Sequence, residues 1–159
     1  MTPVQAQPDY PHWPAVAALI HRAFAYMEPR LGHPARAMAL DAAALSRRAG
    51  EGAAFVIEAE GTPIACLFTR HSRDLPGALY IGTLAVAESH RGQGLARHLI
   101  ATAEEEARQH GFRALTLDTG RPLTELLALF TRLGFETLPG SGETVTMRKV
   151  LGETPREAR

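Results

Sequence analysis

The stretch that decides the fold is ALYIGTLAV (residues 78–86), followed two residues later by SHRGQGLARHLI (residues 89–100). The uncharged first segment favours a strand buried on both faces of a sheet. Leu95 and Leu99 lie at helical spacing in the second segment and predict a helix that begins just after Gly94. The N–H groups of a first helical turn are free and favour an anion, and glycines expose the backbone to it. The junction therefore predicts a phosphate site, with a turn that needs glycine only for its dihedral angles as the alternative.

Two common phosphate-binding motifs do not fit this junction. A dinucleotide fingerprint requires a third glycine three residues after Gly94, and a P-loop requires a glycine five residues after Gly92. Arg97 occupies the position in both cases. The candidate site is therefore limited to RGQGLA (residues 91–96), where Arg91 adds positive charge.

The composition predicts one domain over residues 1–150, with a flexible tail over residues 151–159. The chain has 159 residues, 45% of them hydrophobic, enough for one core. Its 17 basic and 17 acidic residues balance, which argues against nucleic acid or an anionic membrane as a partner. The lone Cys66 and the scattered histidines predict no metal site. Without a secretory or membrane-spanning pattern, the expected location is cytoplasmic.

The remaining periodicity predicts a mixed α/β fold. Apolar spacing from Trp13 to Met27 predicts a first helix over about 13–27, and a second helix is expected over about 40–49, closed by Gly50. Glu60 and Gly61 predict a hairpin turn between two strands. Further elements are a strand in RALTLDTG, a helix beginning near Pro122, and short strands over 135–138 and 143–150. A strand at 3–7 would complete the sheet.

Two motif blocks together resemble the GCN5-related N-acetyltransferases. The first is the charge-free strand ending in LAV, followed by R-x-x-G-x-A at a helix start. The second is LTLDTG with LLALFTRLGFE, which is similar to the fifth strand, the fourth helix and the aromatic-x-x-L-G-F ending of that family. The resemblance covers residues 54–149 and implies a central mixed sheet of six to seven strands, splayed between the fourth and fifth, with about four helices.

The resemblance also implies a coenzyme site and a reaction. Acetyl-CoA would be the co-substrate, with its pantetheine against the backbone of Leu84, Ala85 and Val86. Its pyrophosphate would lie on the turn, and the Val86 N–H would stabilise the oxyanion of a tetrahedral intermediate. The turn residues that this assigns to the coenzyme are Arg91, Gly92, Gln93, Gly94, Leu95 and Ala96.

Two positions depart from the family pattern. Phe130 stands where relatives usually have the tyrosine that protonates the leaving thiolate, and Leu123 stands where they often have asparagine. A thiol has an ordinary pKa of about 8.5, so its anion is a tolerable leaving group without an acid. Tyr80 or Tyr26 is a candidate substitute acid. Tyr80, Asp118 and Glu125 are candidate bases, each with a structural role as the alternative.

The segment YMEPRLGHPAR (residues 26–36) follows the first helix, where the resemblance places the wall of the acceptor site. Tyr26, Glu28 and Arg30, with His33 and Arg36, put both charges in this loop and suit a zwitterion or a small polar amine; a solvated loop is the alternative. The expected function is acetyl transfer to a small-molecule amine. A non-catalytic acyl-CoA-binding module, or a transferase with another acyl donor or acceptor, is the alternative. A homodimer is compatible with the sequence.

Overall fold

A computed structural model describes residues 1–152, and within them a mixed sheet of seven strands carries five α-helices. The elements follow the predicted alternation of apolar strands and amphipathic helices. In chain order they are β1 (Val4–Gln5), α1 (Trp13–Phe24), α2 (Met27–Leu31), α3 (Ala42–Glu51), β2 (Ala53–Ala59), β3 (Thr62–His71), β4 (Ala78–Val86), α4 (Leu95–Gln109), β5 (Ala114–Gly120), α5 (Thr124–Arg132), β6 (Glu136–Thr137) and β7 (Thr144–Val150). Short 3-10 segments lie at Arg36–Ala39 and Glu88–His90.

The strand order is β1-β2-β3-β4-β5-β7-β6, and every neighbouring pair is antiparallel except β4 with β5. The parallel pair is joined through α4, as a crossover requires. β4 and β5 pair only over Ala78–Tyr80 and Ala114–Thr116. Beyond these residues the two strands separate, which confirms the predicted splay in the middle of the sheet.

Each face of the sheet has its own hydrophobic core. One core contains the buried face of α4 (Leu95, Leu99, Ala103) together with Phe130 of α5. The other contains Trp13 and Ile20 of α1 with Leu45 of α3. The sheet therefore separates the two helical layers, and the splay is the place where a ligand can reach through it.

Two helix boundaries differ from the sequence prediction. The first helix ends at Phe24, and a separate five-residue helix begins at Met27, which gives five helices instead of about four. Gly50 lies within α3, which ends at Glu51, so Gly50 is not its cap. The cap is Gly52, where an added Cβ would lie 2.0 Å from the Thr69 carbonyl oxygen.

The Glu60–Gly61 turn is present, with φ of 51° and 78°. Residues 153–159 of the predicted tail lie outside the described residues. No helix among residues 1–152 is both long and apolar enough to span a membrane.

Candidate active site

A cleft of about 1450 Å³ opens where β4 and β5 separate. It extends from the turn before α4, along β4 and past the ends of β3 and β5, to the segment that follows α1. Most of the residues that the sequence assigns to the coenzyme line this cleft: Leu84, Ala85, Val86, Arg91, Gly92, Gly94, Leu95 and Ala96. Gln93 is exposed and is not part of the lining.

The turn before α4 has the geometry of an anion cradle. Gly92 and Gly94 have φ of 79° and 77°, a left-handed conformation that favours glycine. A Cβ at either position would find no atom within 4 Å, so the space above the turn is open. The first backbone hydrogen bond of α4 runs from the His98 N–H to the Gly94 oxygen (3.0 Å). The N–H groups of Leu95, Ala96 and Arg97 therefore have no partner within the helix. Pyrophosphate oxygens fit this donor set.

The end of β4 presents backbone groups to the splay. The Ala87 N–H donates to Ile64 of β3 (2.7 Å). Because N–H direction alternates along a strand, the Val86 N–H faces the opposite side, where β5 has moved away. The Val86 oxygen accepts a hydrogen bond from Arg91 Nε at 3.4 Å. This end of β4 can therefore bind an extended amide-containing chain.

A β-bulge lies just before these groups. Cys66 and Phe68 of β3 pair with Ala85 and Gly82, so that β4 has one residue more than its partner between them. Thr83 in the bulge has φ of 54°, which is unusual for a β-branched residue. Bulges and strained residues of this kind concentrate at functional sites.

Tyr80 lies in the same cleft with a fixed ring. The Arg70 guanidinium lies 4.0 Å from the ring centroid, and an added Cβ on Gly82 would lie 3.1 Å from Tyr80 Cε1. Burial, followed by the charge of Asp118, raises the pKa of Tyr80, whereas Arg70, Arg36 and Arg48 lower it. The hydroxyl therefore stays protonated at neutral pH. This state suits a proton donor better than a base.

The two departures from the family pattern are buried. Phe130 is 7% exposed and packs edge-to-face on Phe135, with ring centroids 5.8 Å apart. Leu123 is 2% exposed and precedes α5. Both line the cleft and neither carries a proton donor. Neither position can therefore supply a general acid.

Tyr26 lines the cleft as well, and its hydroxyl lies within the influence of Glu125 and Arg91. Burial is the main cause that raises its pKa, with Glu125 acting in the same direction. Glu28 and Arg30 are exposed and do not line the cleft. Of the five residues predicted in this loop, Tyr26, His33 and Arg36 therefore line the cleft, whereas Glu28 and Arg30 do not.

Arg30 instead joins residues 26–36, which we call the acceptor wall after their predicted role, to the opposite side of the cleft. Its guanidinium donates to Glu125 Oε1 (2.6 Å) and to the Pro122 oxygen (2.8 Å). His33 Nε2 lies 2.6 Å from Glu143 Oε1. We call these two ion pairs the latch, because they join the segment after α1 to α5 and to the approach to β7. Within residues 1–152 they are the ion pairs that this segment forms.

The sequence did not identify Arg48 and Arg70 as site residues. Both line the cleft, together with Arg36 and Asp118. They come from α3 and β3, and no motif marks them; only the folded sheet places them beside Tyr80. Burial raises the pKa of the Cys66 thiol to about 12, so this cysteine is not a nucleophile. No group of three metal-ligating side chains occurs among residues 1–152.

Fold and site together define a mixed sheet that splays around a cleft, with an anion-binding turn at one end of it. Residues 13–135 match the Acetyltransferase (GNAT) family, so the chain belongs to that family. An acetyltransferase of Agrobacterium fabrum is 40% identical over 75 residues, which are 44% of this chain and 53% of that protein. Human N-acetyltransferase 8B is 38% identical over 53 residues, 33% of this chain and 23% of the relative. The matches thus span about half of these relatives or less.

A solved structure extends the similarity over nearly the whole chain. The PaiA N-acetyltransferase of Thermoplasma acidophilum, crystallised with coenzyme A, superposes with a TM-score of 0.76 at 11% identity. The superposition covers 95% of this chain and 100% of that protein. At this identity the comparison shows a shared fold.

Proposed function

We propose that this protein is an acetyl-CoA-dependent N-acetyltransferase that transfers the acetyl group directly to the amine of a small polar or amino-acid-like molecule. The observation that carries the proposal is the cleft at the splay of β4 and β5, with the glycine turn and the free N–H groups of α4 at one end. Family membership supports the same assignment, as does the coenzyme A in the crystallised PaiA structure.

Different parts of the cleft would have different roles in binding and in the reaction. The N–H groups at residues 94–97, with Arg91, would bind the pyrophosphate, and the backbone of Leu84–Val86 would hold the pantetheine. The Val86 N–H would donate to the acyl oxygen as negative charge develops there. Tyr80, protonated and half-buried, would donate a proton to the leaving sulfur in place of the hydroxyl that Phe130 lacks.

A free-thiol assay tests the proposal directly. The protein's single cysteine is buried with a raised pKa, so a thiol reagent added to the folded protein reports released coenzyme A. We expect micromolar acetyl-CoA binding by calorimetry and thiol release with at least one amine. No binding heat with acetyl-CoA or coenzyme A would refute the proposal.

A second function is favoured by one observation, the absence of a hydroxyl at the buried Phe130. A non-catalytic module that binds acyl-CoA needs the turn and β4 but no acid. Binding of acetyl-CoA without thiol release across amino acids, polyamines and aminoglycosides would support it. Preference for a longer acyl-CoA or for an alcohol would instead indicate a different transfer reaction on the same fold.

Location and assembly are part of the proposal. Acetyl-CoA is supplied inside cells, so a cytoplasmic location follows from its use as co-substrate. A homodimer remains a prediction, which the molar mass measured by light scattering would test.

A further inference from the structure

Three arginines from separate elements line the same half of the cleft. Arg36 belongs to the 3-10 segment, Arg48 to α3 and Arg70 to β3. We call them the arginine cluster. Arg70 stacks on the Tyr80 ring at 4.0 Å, and the charges of Arg36 and Arg48 also act on the Tyr80 hydroxyl. The cluster is thus next to the group that we place at the chemical step.

Within residues 1–152, no carboxylate lies within ion-pair distance of these three side chains. Glu125 and Glu143, which also line the cleft, are engaged by Arg30 and His33. Asp118 accepts a hydrogen bond from Thr146 Oγ1 (2.7 Å). The remaining cleft carboxylate, Glu51, forms no ion pair in this part of the chain.

The arginine cluster therefore gives this half of the cleft an excess of positive charge. The whole chain carries no net charge, so the excess is local to the cleft. Guanidinium groups bind carboxylates and phosphates through paired, charge-assisted hydrogen bonds. A second amine on the acceptor would meet repulsion at the same place.

We propose that the acceptor is an amine that also carries an anionic group, a carboxylate or a phosphate, and that the arginine cluster selects it. This inference rests on the proposed transferase function and names its substrate class. In the reaction the acceptor nitrogen bonds to the acetyl carbon and the carbon–sulfur bond of acetyl-CoA breaks. The ammonium loses two protons: solvent receives one, and the other replaces the proton that Tyr80 donates to the thiolate.

The first experiment compares acceptors that differ in one charge. Thiol release is measured for amino acids against their carboxamides, for a phosphorylated amino sugar against the unphosphorylated sugar, and for spermidine. The carboxamides have the lower amine pKa and therefore a larger fraction of neutral, reactive amine. This difference alone would make the carboxamides react faster, which is opposite to the result we expect. We expect kcat/KM at least about tenfold higher for the anionic member of one pair, because charge-assisted hydrogen bonds contribute about that much. A difference in the amino-acid pair would identify the anionic group as a carboxylate, and a difference in the sugar pair would identify it as a phosphate.

Two neighbouring residues of α3 provide a matched control. Both side chains are exposed, but only Arg48 lines the cleft. Arg48→Gln should raise KM for the anionic acceptor about ten- to a hundredfold, with little effect on the uncharged one. Arg47→Gln should leave both values unchanged. Equal melting temperatures for the two variants would show that the difference is not a loss of folding.

The outcomes separate this inference from the proposed function. Turnover that is equal or faster with carboxamides, the unphosphorylated sugar or spermidine would overturn the inference and leave the transferase standing. A change in the KM of acetyl-CoA, but not of the acceptor, in Arg48→Gln would assign the cluster to the coenzyme and also overturn it. No turnover with any amine would overturn both.

Discussion

Gly94 shows how a single residue can serve both the backbone and a ligand. Its φ of 77° requires a residue that tolerates the left-handed region, and the space where its Cβ would lie is open. Asparagine and aspartate tolerate this region better than other side chains, and they are nearly equal in size, with a negative charge on aspartate alone. The pair Gly94→Asn and Gly94→Asp therefore separates strain from electrostatics.

We predict that Gly94→Asp loses far more acetyl-CoA affinity than Gly94→Asn. Two unit charges 4 Å apart repel by about 4 kcal/mol at an effective dielectric of 20, which is close to a thousandfold in affinity. The free protein should show no such penalty, because a carboxylate at a helix N-terminus is favourable by about 0.3–1 kcal/mol. Calorimetry with acetyl-CoA and thermal unfolding measure the two effects. Equal affinities in the two folded variants would remove the pyrophosphate from this turn.

Tyr80 is the residue on which the chemical step depends in our proposal. Tyr80→Phe keeps the ring that packs on Arg70 and Gly82 but removes the hydroxyl. We expect kcat to fall about 10²–10⁴-fold, the usual contribution of a general acid, with an unchanged melting temperature. Because the raised pKa keeps the hydroxyl protonated, the wild-type rate should show no Tyr80 titration between about pH 6 and 9. An unchanged kcat in Tyr80→Phe would exclude the hydroxyl from the reaction; Tyr26→Phe would then be the next variant.

Among single residues, the sequence predicted those site residues that belong to a local motif. Gly92, Gly94 and Val86 occupy a continuous stretch whose backbone chemistry can be deduced without a fold. Arg48 and Arg70 could not be found this way, because each is an ordinary surface-type residue within its own element. Only the pairing of β3 with β4, which places Arg70 opposite Tyr80, and the packing of α3 bring them into the cleft.

Among the elements, β4 was predicted with its observed boundaries because nine uncharged residues end at clear turn signals. Its bulge was not predicted, since nothing about Thr83 in the sequence favours a positive φ. The first helix was predicted three residues too long. Met27 continues the helical spacing of α1, but its buried side chain belongs to the separate short helix α2.

The junction of α3 with β2 gives a prediction about stability. A Cβ on Gly52 would lie 2.0 Å from the Thr69 oxygen and 3.0 Å from the Thr69 carbon, both backbone atoms that cannot rotate away. Gly52→Ala should therefore destabilise the protein by about 1–3 kcal/mol or more. Gly140→Ala is the control, because a Cβ there meets nothing within 4 Å. Urea unfolding of both variants tests this, and similar midpoints would show that the junction can move.

On the scale of the whole molecule, the latch joins distant parts of the chain across the cleft. Arg30 and Glu125 are 95 residues apart, and His33 and Glu143 are 110 apart. The resemblance of residues 54–149 to the family predicted the sheet and its splay. It did not supply the latch, which depends on the particular side chains of residues 26–36 and on how close α2 lies to the end of β5. A Cβ on Gly120 would lie 2.5 Å from Leu31 Cδ2.

The two ion pairs of the latch should respond differently to pH. The hydrogen bond from Arg30 is the main cause that lowers the pKa of Glu125, so this pair persists until the pH falls below the ordinary range of a glutamate. The pKa of His33 is raised, first by its contact with the Pro34 oxygen and then by Glu143, although Arg36 acts against it. The His33–Glu143 pair is therefore complete below the ordinary histidine pKa of about 6.5. It is lost as the pH rises through the raised value.

We accordingly predict that the acceptor wall loosens on the alkaline side of neutrality. Hydrogen exchange of the amides at residues 26–36, corrected for the intrinsic pH dependence of exchange, should become faster as the pH rises above about 6.5, and acceptor KM should rise modestly over the same range. His33→Gln should remove this pH dependence and give the alkaline behaviour at every pH. Arg30→Gln should speed exchange by a similar factor across the range, because it removes an ion pair in which His33 takes no part. If wild type and His33→Gln show the same pH profile, the His33–Glu143 contact does not hold the wall in solution.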